Sequence, residues 1–476
     1  MKKHLVSVFI LFVISISLGK AQSPILWGMT QYGGSGYSYG TIFKTTGTGL
    51  LTNVHVFGPN DNAMYPTGSL FKSNDGLLYG MTNAGGINGG SGGIIFSYNI
   101  STAGENDICD SLVGNSAEGI LMQANNGLLY GLTKAYSNTH GKSSGTIFSY
   151  DISTGKKPIL YHFGKGNDGI NPSGKLIQVD NDLLYGVTSE GGVDSEGTIF
   201  SYSITTGSET ILYNFRGGTD GKYPCSLVEA NNGLLYGITA SGGINDSGII
   251  FSYNISTGTK TDIHDFGSGA DGAIPCGALI QANNGLLYGV TISCRTTGLG
   301  TIFSYNISTN IETDIHDFGR GTDGVEPNGA LIQASDGLLY GMTIRGGNNN
   351  FGTIFNYNIS TETEVDIHDF TGIDGEYPNG NLLEVDSTTG INKLSLINNN
   401  ISIYPNPTSG QFTIKTIANQ NGYTVNIYNI VGENIYQSVL NNTQTEINLT
   451  AQPDGMYFVY LKSDEGVEVE KVVVAR

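Results

Sequence analysis

Between Ile25 and Val385 short apolar stretches alternate with breaks rich in Gly, Asn, Ser and Thr, and no long amphipathic helical segment emerges. Stretches such as Thr146-Ile147-Phe148-Ser149-Tyr150 carry large side chains on both parities, as strands covered on both faces do. The pattern then repeats. Trp27, Tyr79, Tyr130, Tyr185, Tyr236, Tyr288 and Tyr340 each precede a Gly in a stretch of the type Leu-Leu-Tyr-Gly-x-Thr, at spacings of 52, 51, 55, 51, 52 and 52, which makes seven copies. Each copy reads as four short strands: the Leu-Leu-Tyr-Gly strand, the Thr-Ile-Phe-Ser-Tyr strand, an Asp-Ile-His-Asp-Phe strand as at Asp262 to Phe266, and an Ala-Leu-Ile-Gln-Ala strand as at Ala278 to Ala282. Asn-Asn-Gly and Ser-Thr-Gly turns separate them. Four strands in about 50 residues predict a propeller blade, because β-helix coils are much shorter.

The expected fold is therefore all-β, a seven-bladed β-propeller of four-stranded repeats over residues 22–386. Its ends are complementary: the first copy opens on the Trp27 strand, and the last closes on Asn381-Leu382-Leu383-Glu384-Val385. Pairing of these two would complete one blade and hide two edges.

Residues 1–21 combine basic Lys2 and Lys3, an apolar run from Leu5 to Leu18 and the triplet Gly19-Lys20-Ala21, and read as a signal peptide. No other segment approaches the roughly 20 apolar residues of a membrane helix, so no transmembrane segment is expected in the mature chain. Residues 387–400 form a polar linker, and 401–476 contain several short strands that predict a small immunoglobulin-like β-sandwich.

Formal charge is −19, without a basic stripe, which argues against nucleic acid as a partner. Cys109, Cys225, Cys276 and Cys294 have no close pairing for redox work or zinc and read as small, partly buried thiols. His55, His264, His316 and His368 fall in one column on an outer strand, where they diverge and cannot share one ion, so no metal and no cofactor is expected. The Asp-Gly-x-x-Pro elements at Asp168, Asp220, Asp271, Asp323 and Asp374 offer one carboxylate per loop and read as turns, too few for calcium. These loops share a face with the loops after Tyr-Gly-x-Thr. There Lys134, Tyr136, Glu190, Arg295 and Arg345 break the repeat and are the candidate ligand-binding residues. No catalytic motif appears.

The repeats resemble the Gloeo/Verruco tandem repeat family, on elements such as Tyr185-Gly186-Val187-Thr188, Gly191-Gly192, Gly197-Thr198-Ile199-Phe200 and Asp220-Gly221-Lys222-Tyr223-Pro224. That family implies no defined activity. The C-terminal region resembles the type A sorting domain of type IX secretion, through Tyr404, Pro405, Asn406, Pro407 and Gly410, then Gly432, then Gly455 and Tyr457. This resemblance implies passage through the periplasm, the type IX translocon and sortase as partners, and a secreted or outer-membrane surface location. The expected function is non-catalytic binding or adhesion toward a glycan or protein ligand. The alternatives are a polysaccharide-acting hydrolase or lyase and a structural cell-surface component.

Overall fold

The computed structural model describes residues 23–385 and 401–475, apart from short breaks at 59–60, 87–92, 109–116, 118, 135–136, 139–140, 143, 269–270, 295–297, 320–322, 417–422, 430–433, 441, 443 and 464–465. The expected signal peptide and linker lie outside the described residues. The chain divides into two compact units, Met1–Ser387 and Thr388–Arg476.

In the first unit the described residues form seven four-stranded antiparallel sheets. One sheet runs from an inner strand, Gly272–Gln281, through Leu287–Cys294 and Thr301–Asn306 to an outer strand, Ile311–Asp317. Inner strands of successive sheets touch one another in a closed ring, and Ser69, Ile120 and Lys175 pair as parallel bridges across three of them. The sheet that begins with Ile25–Tyr32 takes its inner strand, Glu376–Glu384, from the other end of the unit, with Trp27 opposite Leu383. This is the pairing expected from the complementary ends.

The Tyr-Gly motif follows from what lies over the glycine. Gly289 faces Phe303 across the strand pair, and a Cβ on Gly289 would stand 2.5 Å from Phe303 Cζ. The same clash, at 2.3–2.6 Å, recurs at Gly28, Gly80, Gly131, Gly186, Gly237 and Gly341. With its ring laid flat on the glycine, each phenylalanine presents an edge to the previous sheet. There, for six of the seven, a phenylalanine at the end of the outer strand meets it, as in Phe266–Phe303 at 5.0 Å and Phe318–Phe355 at 5.1 Å, whereas Phe148 has no aromatic counterpart in the Ile108-Cys109-Asp110-Ser111 stretch. The tyrosine beside the glycine is buried, and its hydroxyl is held by the preceding turn, as in Asn284 Nδ2 to Tyr288 at 2.8 Å. That turn is tied onward by the next inner strand, whose Gln333 accepts from Asn283 N at 2.7 Å.

The Pro of Asp-Gly-x-x-Pro seats against the next repeated glycine: Gly248 of one sheet meets Pro275 of the following one, with a Cβ at Gly248 only 2.6 Å from Pro275 Cδ. The residue before each such Pro takes a positive φ, 57° at Ile274, and its N–H donates across to the previous sheet, Ser247 O, at 2.9 Å. The turn reading expected positive φ at the Gly of Asp-Gly. Gly221 and Gly375 have it and Gly169, Gly272 and Gly324 do not, whereas the residue before Pro takes a positive φ in all five, at Asn171, Tyr223, Ile274, Glu326 and Tyr377. The inter-sheet hydrogen bond is the physical reason, since it rotates that N–H outward.

The second unit has a three-stranded sheet, with Ile401–Tyr404, Gln411–Thr416 and Gln444–Asn448, and a four-stranded sheet centred on Tyr423–Asn429 and Gly455–Ser463. Both contribute to one apolar core, with Phe412 and Ile447 from the first and Val425, Val459 and Val472 from the second.

Replacing Gly289 by Ala forces Phe303 off its seat and away from Phe266, so it should cost about 1–3 kcal/mol of stability. Urea denaturation of Gly289→Ala checks this, and Phe303→Leu in the same chain should recover part of the loss. An unchanged midpoint in the single variant would refute the contact.

Candidate functional site

The ring of inner strands encloses an axial cavity of about 330 Å³. It lies toward the end of the axis where the Asp-Gly loops meet the strand ends after Tyr-Gly-x-Thr, because Tyr223, Ser189 and Ala240 are in its wall. Part of the wall is the glycine that recurs on the inner strands, at Gly68, Gly174, Gly277, Gly329 and Gly380. The residue after that glycine projects beside the axis and differs from sheet to sheet: Ser69, Ile120, Lys175, Ala278 and Asn381.

Two departures from the repeat make this cavity chemically distinct. Lys175 brings an ammonium group into the ring, and burial, with no opposing contribution, holds it below the usual lysine range. Lys134 reaches the same cavity from the preceding sheet. No carboxylate and no histidine lines the cavity among the described residues, in a chain of net charge −19. The next inner strand, Lys222–Glu229, is also shorter than its counterparts of ten residues, because its Pro-Cys-Ser-Leu lacks the glycine of Pro-Cys-Gly-Ala-Leu. At this notch stands Cys225. Its thiol is pushed up to about 11 by burial, with Lys134 pulling the other way. Cys225, Cys276 and Cys294 are free thiols, and Cys109 lies outside the described residues.

Of the candidate ligand residues, Lys134 is in the cavity wall. Glu190 and Arg345 occupy one equivalent register position, opposite Ile170 and Val325, and are exposed outside the wall, with Arg345 Nη1 3.3 Å from Glu326 Oε1. Tyr136 and Arg295 lie outside the described residues. Lys175 and the Cys225 notch escaped notice in the sequence, although aligning Asn-Pro-Ser-Gly-Lys and Tyr-Pro-Cys-Ser with the other copies marks both.

The histidines stand far from the axis, each beside the Asp of the loop that follows its strand: His264 Nε2 is 3.1 Å from Asp271, His316 3.2 Å from Asp323 and His368 3.0 Å from Asp374. The expectation that they cannot share one ion considered the histidine column alone. The structure adds to His55, His264 and His316 a glutamate from the following sheet: Glu105, Glu312 and Glu364. Burial and then neighbouring carboxylates push Glu312 up to about 9 and Glu105 and Glu364 to about 8.

In the second unit Asn406 bridges to the last strand, donating from Nδ2 to Lys471 O at 2.6 Å and accepting from Val473 N at 3.0 Å. Tyr404 is exposed, while Tyr457 is buried and donates to Pro453 O at 2.6 Å. Gly410 packs at positive φ against Thr450, and Gly455 stands at φ 158° with nothing near its Cα hydrogen side. Pro405 and Pro407 flank Asn406, and Gly432 lies outside the described residues.

A family profile described as the Gloeobacter/Verrucomicrobia repeat matches residues 15–200 and 181–404, which is most of the chain. The chain belongs to this repeat family. Beyond the Gloeobacter/Verrucomicrobia repeats, residues 402–475 match the secretion system C-terminal sorting domain, the type IX tail. A sorting domain of this kind implies export to the cell surface or secretion and interaction with the type IX machinery. No helix among the described residues is long and apolar enough to cross a membrane.

No curated protein matches the chain. Among solved structures it is similar to a periplasmic gluconolactonase from Pseudomonas aeruginosa, at 14% identity over 76% of this chain and 99% of that one, with a TM-score of 0.52. A putative 6-phosphogluconolactonase from Bacteroides uniformis gives 15% identity over the same shares, 76% and 99%, and 0.52. For TolB from Acinetobacter baumannii the chain spans 63% of that protein and 61% of its own length, at 13% identity and 0.38. At such identity the first two show a propeller-like fold and nothing of activity.

A thiol poised near 11 is only about one part in a thousand thiolate at pH 8. Cys225 should therefore resist iodoacetamide near neutrality and react faster as pH rises toward 11, which peptide mass mapping of the alkylated native protein measures. Rapid labelling at pH 7 would contradict this.

Proposed function

We propose that this repeat protein is an exported seven-bladed β-propeller with an immunoglobulin-like sorting sandwich, and that it acts as a non-catalytic binding module. Its axial cavity takes an anionic group, a carboxylate or sulfate of a glycan or an acidic protein segment. The observation that carries this reading is the pair Lys134 and Lys175 in a cavity without a lining carboxylate, inside a strongly acidic chain. Elsewhere the net charge repels anions, so these lysines give the anion one place to bind. The half-buried Lys175 ammonium carries a desolvation cost that an incoming anion offsets. Binding is favoured over turnover because a hydrolase or lyase needs a convergent acid pair, or a histidine, at the axis.

Retention of the purified full chain on acidic and neutral polysaccharides tests the reading. Acidic polymer should be retained and neutral polymer not. Lys175→Met should weaken retention at least about tenfold, as expected for a charge-assisted contact of about 1.5–3 kcal/mol, and Lys134→Met likewise. Loss with Arg345→Ala and not with the lysines would place binding on the loop rim instead. Release of shortened sugar would favour the enzyme, and retention of nothing a structural component. Because burial lowers the pKa of Lys175, its charge is present below that value and disappears as pH rises through it. Retention should then fade at a pH below the ordinary lysine range of about 10.4.

Deleting residues 401–476 in the native host should leave the remaining chain in the periplasm. Fractionation and surface proteolysis measure this, and undiminished surface delivery would refute the sorting role.

A further inference from the structure

At the outer rim, contacts between neighbouring sheets gather the same four columns of residues: a residue of the outer strand, the Asp of the following loop, and two alternate residues from the next sheet's outer strand. Between the sheets of His264 and Ile311–Asp317 these are His264, Asp271, Glu312 and Asp314. His264 Nε2 lies 3.1 Å from Asp271 Oδ2 and 3.7 Å from Glu312 Oε2. The side chains of Asp271 and Glu312 are only 8% and 7% exposed. Yet Asp271 Oδ1, Glu312 Oε1 and Asp314 Oδ1 are buried without a hydrogen-bond partner among the described residues. Three carboxyl groups with an orphaned oxygen each, out of water and beside one another, cannot all be ionised unless a cation joins them, and without one they retain protons.

The arrangement recurs. At the next contact His316, Asp323, Glu364 and Asp366 repeat it, with 3.2 and 3.8 Å from His316 Nε2 and with Asp323 Oδ1, Glu364 Oε1 and Asp366 Oδ1 orphaned. At a third, His55 stands with Asp61, Glu105 and Asp107, and His55 Nε2, Glu105 Oε1 and Asp107 Oδ1 have no hydrogen-bond partner.

One other contact shows what the site requires. There Lys260 replaces the glutamate and Tyr213 the histidine. The Lys260 ammonium, 2% exposed, sits on Asp220 Oδ1 at 2.8 Å, on Asp220 O at 2.7 Å and on Asp262, the counterparts of Asp271 and Asp314. Here the chain supplies the cation itself. At a further contact Ile211 takes the place of the second aspartate, and Tyr161 donates to Asp168 at 2.8 Å. Histidine and glutamate thus occur together where neither an internal cation nor an apolar replacement is present.

We propose that these three His-Asp-Glu clusters, each with a second aspartate beside it, are binding sites for a divalent transition-metal ion, zinc or manganese, each stapling one sheet to the next. Imidazole with carboxylates is a donor set such ions favour. Ligands about 2.0–2.2 Å from a tetrahedral zinc ion stand about 3.3–3.6 Å apart, which the observed separations from histidine of 3.1–3.8 Å bracket.

The test uses the untagged full chain, stripped with EDTA, incubated with zinc, manganese or calcium chloride, desalted and assayed by mass-spectrometric metal analysis alongside thermal unfolding. The expected result is three equivalents of zinc or manganese and a raised Tm. Glu312→Lys, which copies the Lys260 solution, should lower the stoichiometry to two and make that contact independent of metal. His264→Ala should also give two, read on protein whose circular dichroism matches the parent, and His368→Ala should leave three. Binding below one equivalent, a stoichiometry that falls in neither Glu312→Lys nor His264→Ala, or a preference for calcium over both transition ions overturns the proposal.

Discussion

The seat of a phenylalanine ring on a glycine is the contact around which the repeat unit is organised. In each sheet the glycine after Tyr or Trp leaves room for the ring, and in all but the sheet of Phe148 the ring, held flat, offers its edge to the aromatic ring at the end of the neighbouring outer strand. A sheet buried on both faces cannot be stable alone, because each apolar face requires the next sheet to cover it. Proline-on-glycine packing and the inter-sheet N–H bond beside it extend the same logic toward the axis, and the glutamine-to-turn bond extends it to the opposite edge. Closure by Leu383 opposite Trp27 gives the first sheet the inner strand that its own sequence lacks.

Charge in this frame is sorted by radius. Carboxylates crowd the outer rim, where Asp271, Glu312 and Asp314 or their counterparts meet between sheets. The axial wall instead carries Lys134 and Lys175 and no acid among the described residues. An anion approaching the axis therefore meets positive charge only near the end of its path. The outer groups, by contrast, face one another across contacts that are already formed, so their electrostatics bear on cohesion between sheets and not on ligand capture.

Much of this was legible in the sequence because the repeat period exposes any position that recurs. Spacing of Tyr-Gly, the turn residues and the complementary ends Trp27 and Leu382 to Val385 all follow from one unit seen seven times. The sites were less legible. Reading down a column relates His264 to His316 and His368, but the residues that meet His264 in space come from two other columns and from the next repeat, at Asp271 and Glu312. Likewise Glu190 and Arg345 drew attention as charges in variable loops, whereas the cavity wall takes the residue one place earlier, as with Lys134 and Ser189, since alternate residues of a strand point to opposite sides.

The departures from symmetry are also not scattered. Lys134, Lys175 and the shortened strand at Cys225 belong to three consecutive sheets, so they converge on one side of the axis. Lys260, Tyr213 and Asp262 likewise meet at one contact between sheets, where tyrosine and lysine stand in for histidine and glutamate together. Independent drift would alter one column without regard to another. Here each substituted charge has its compensating neighbour within hydrogen-bonding reach or shares its cavity. The near-identical copies supply a rigid frame with an acidic rim, and these departures add a cationic side to the axis and one rim contact that carries its own cation.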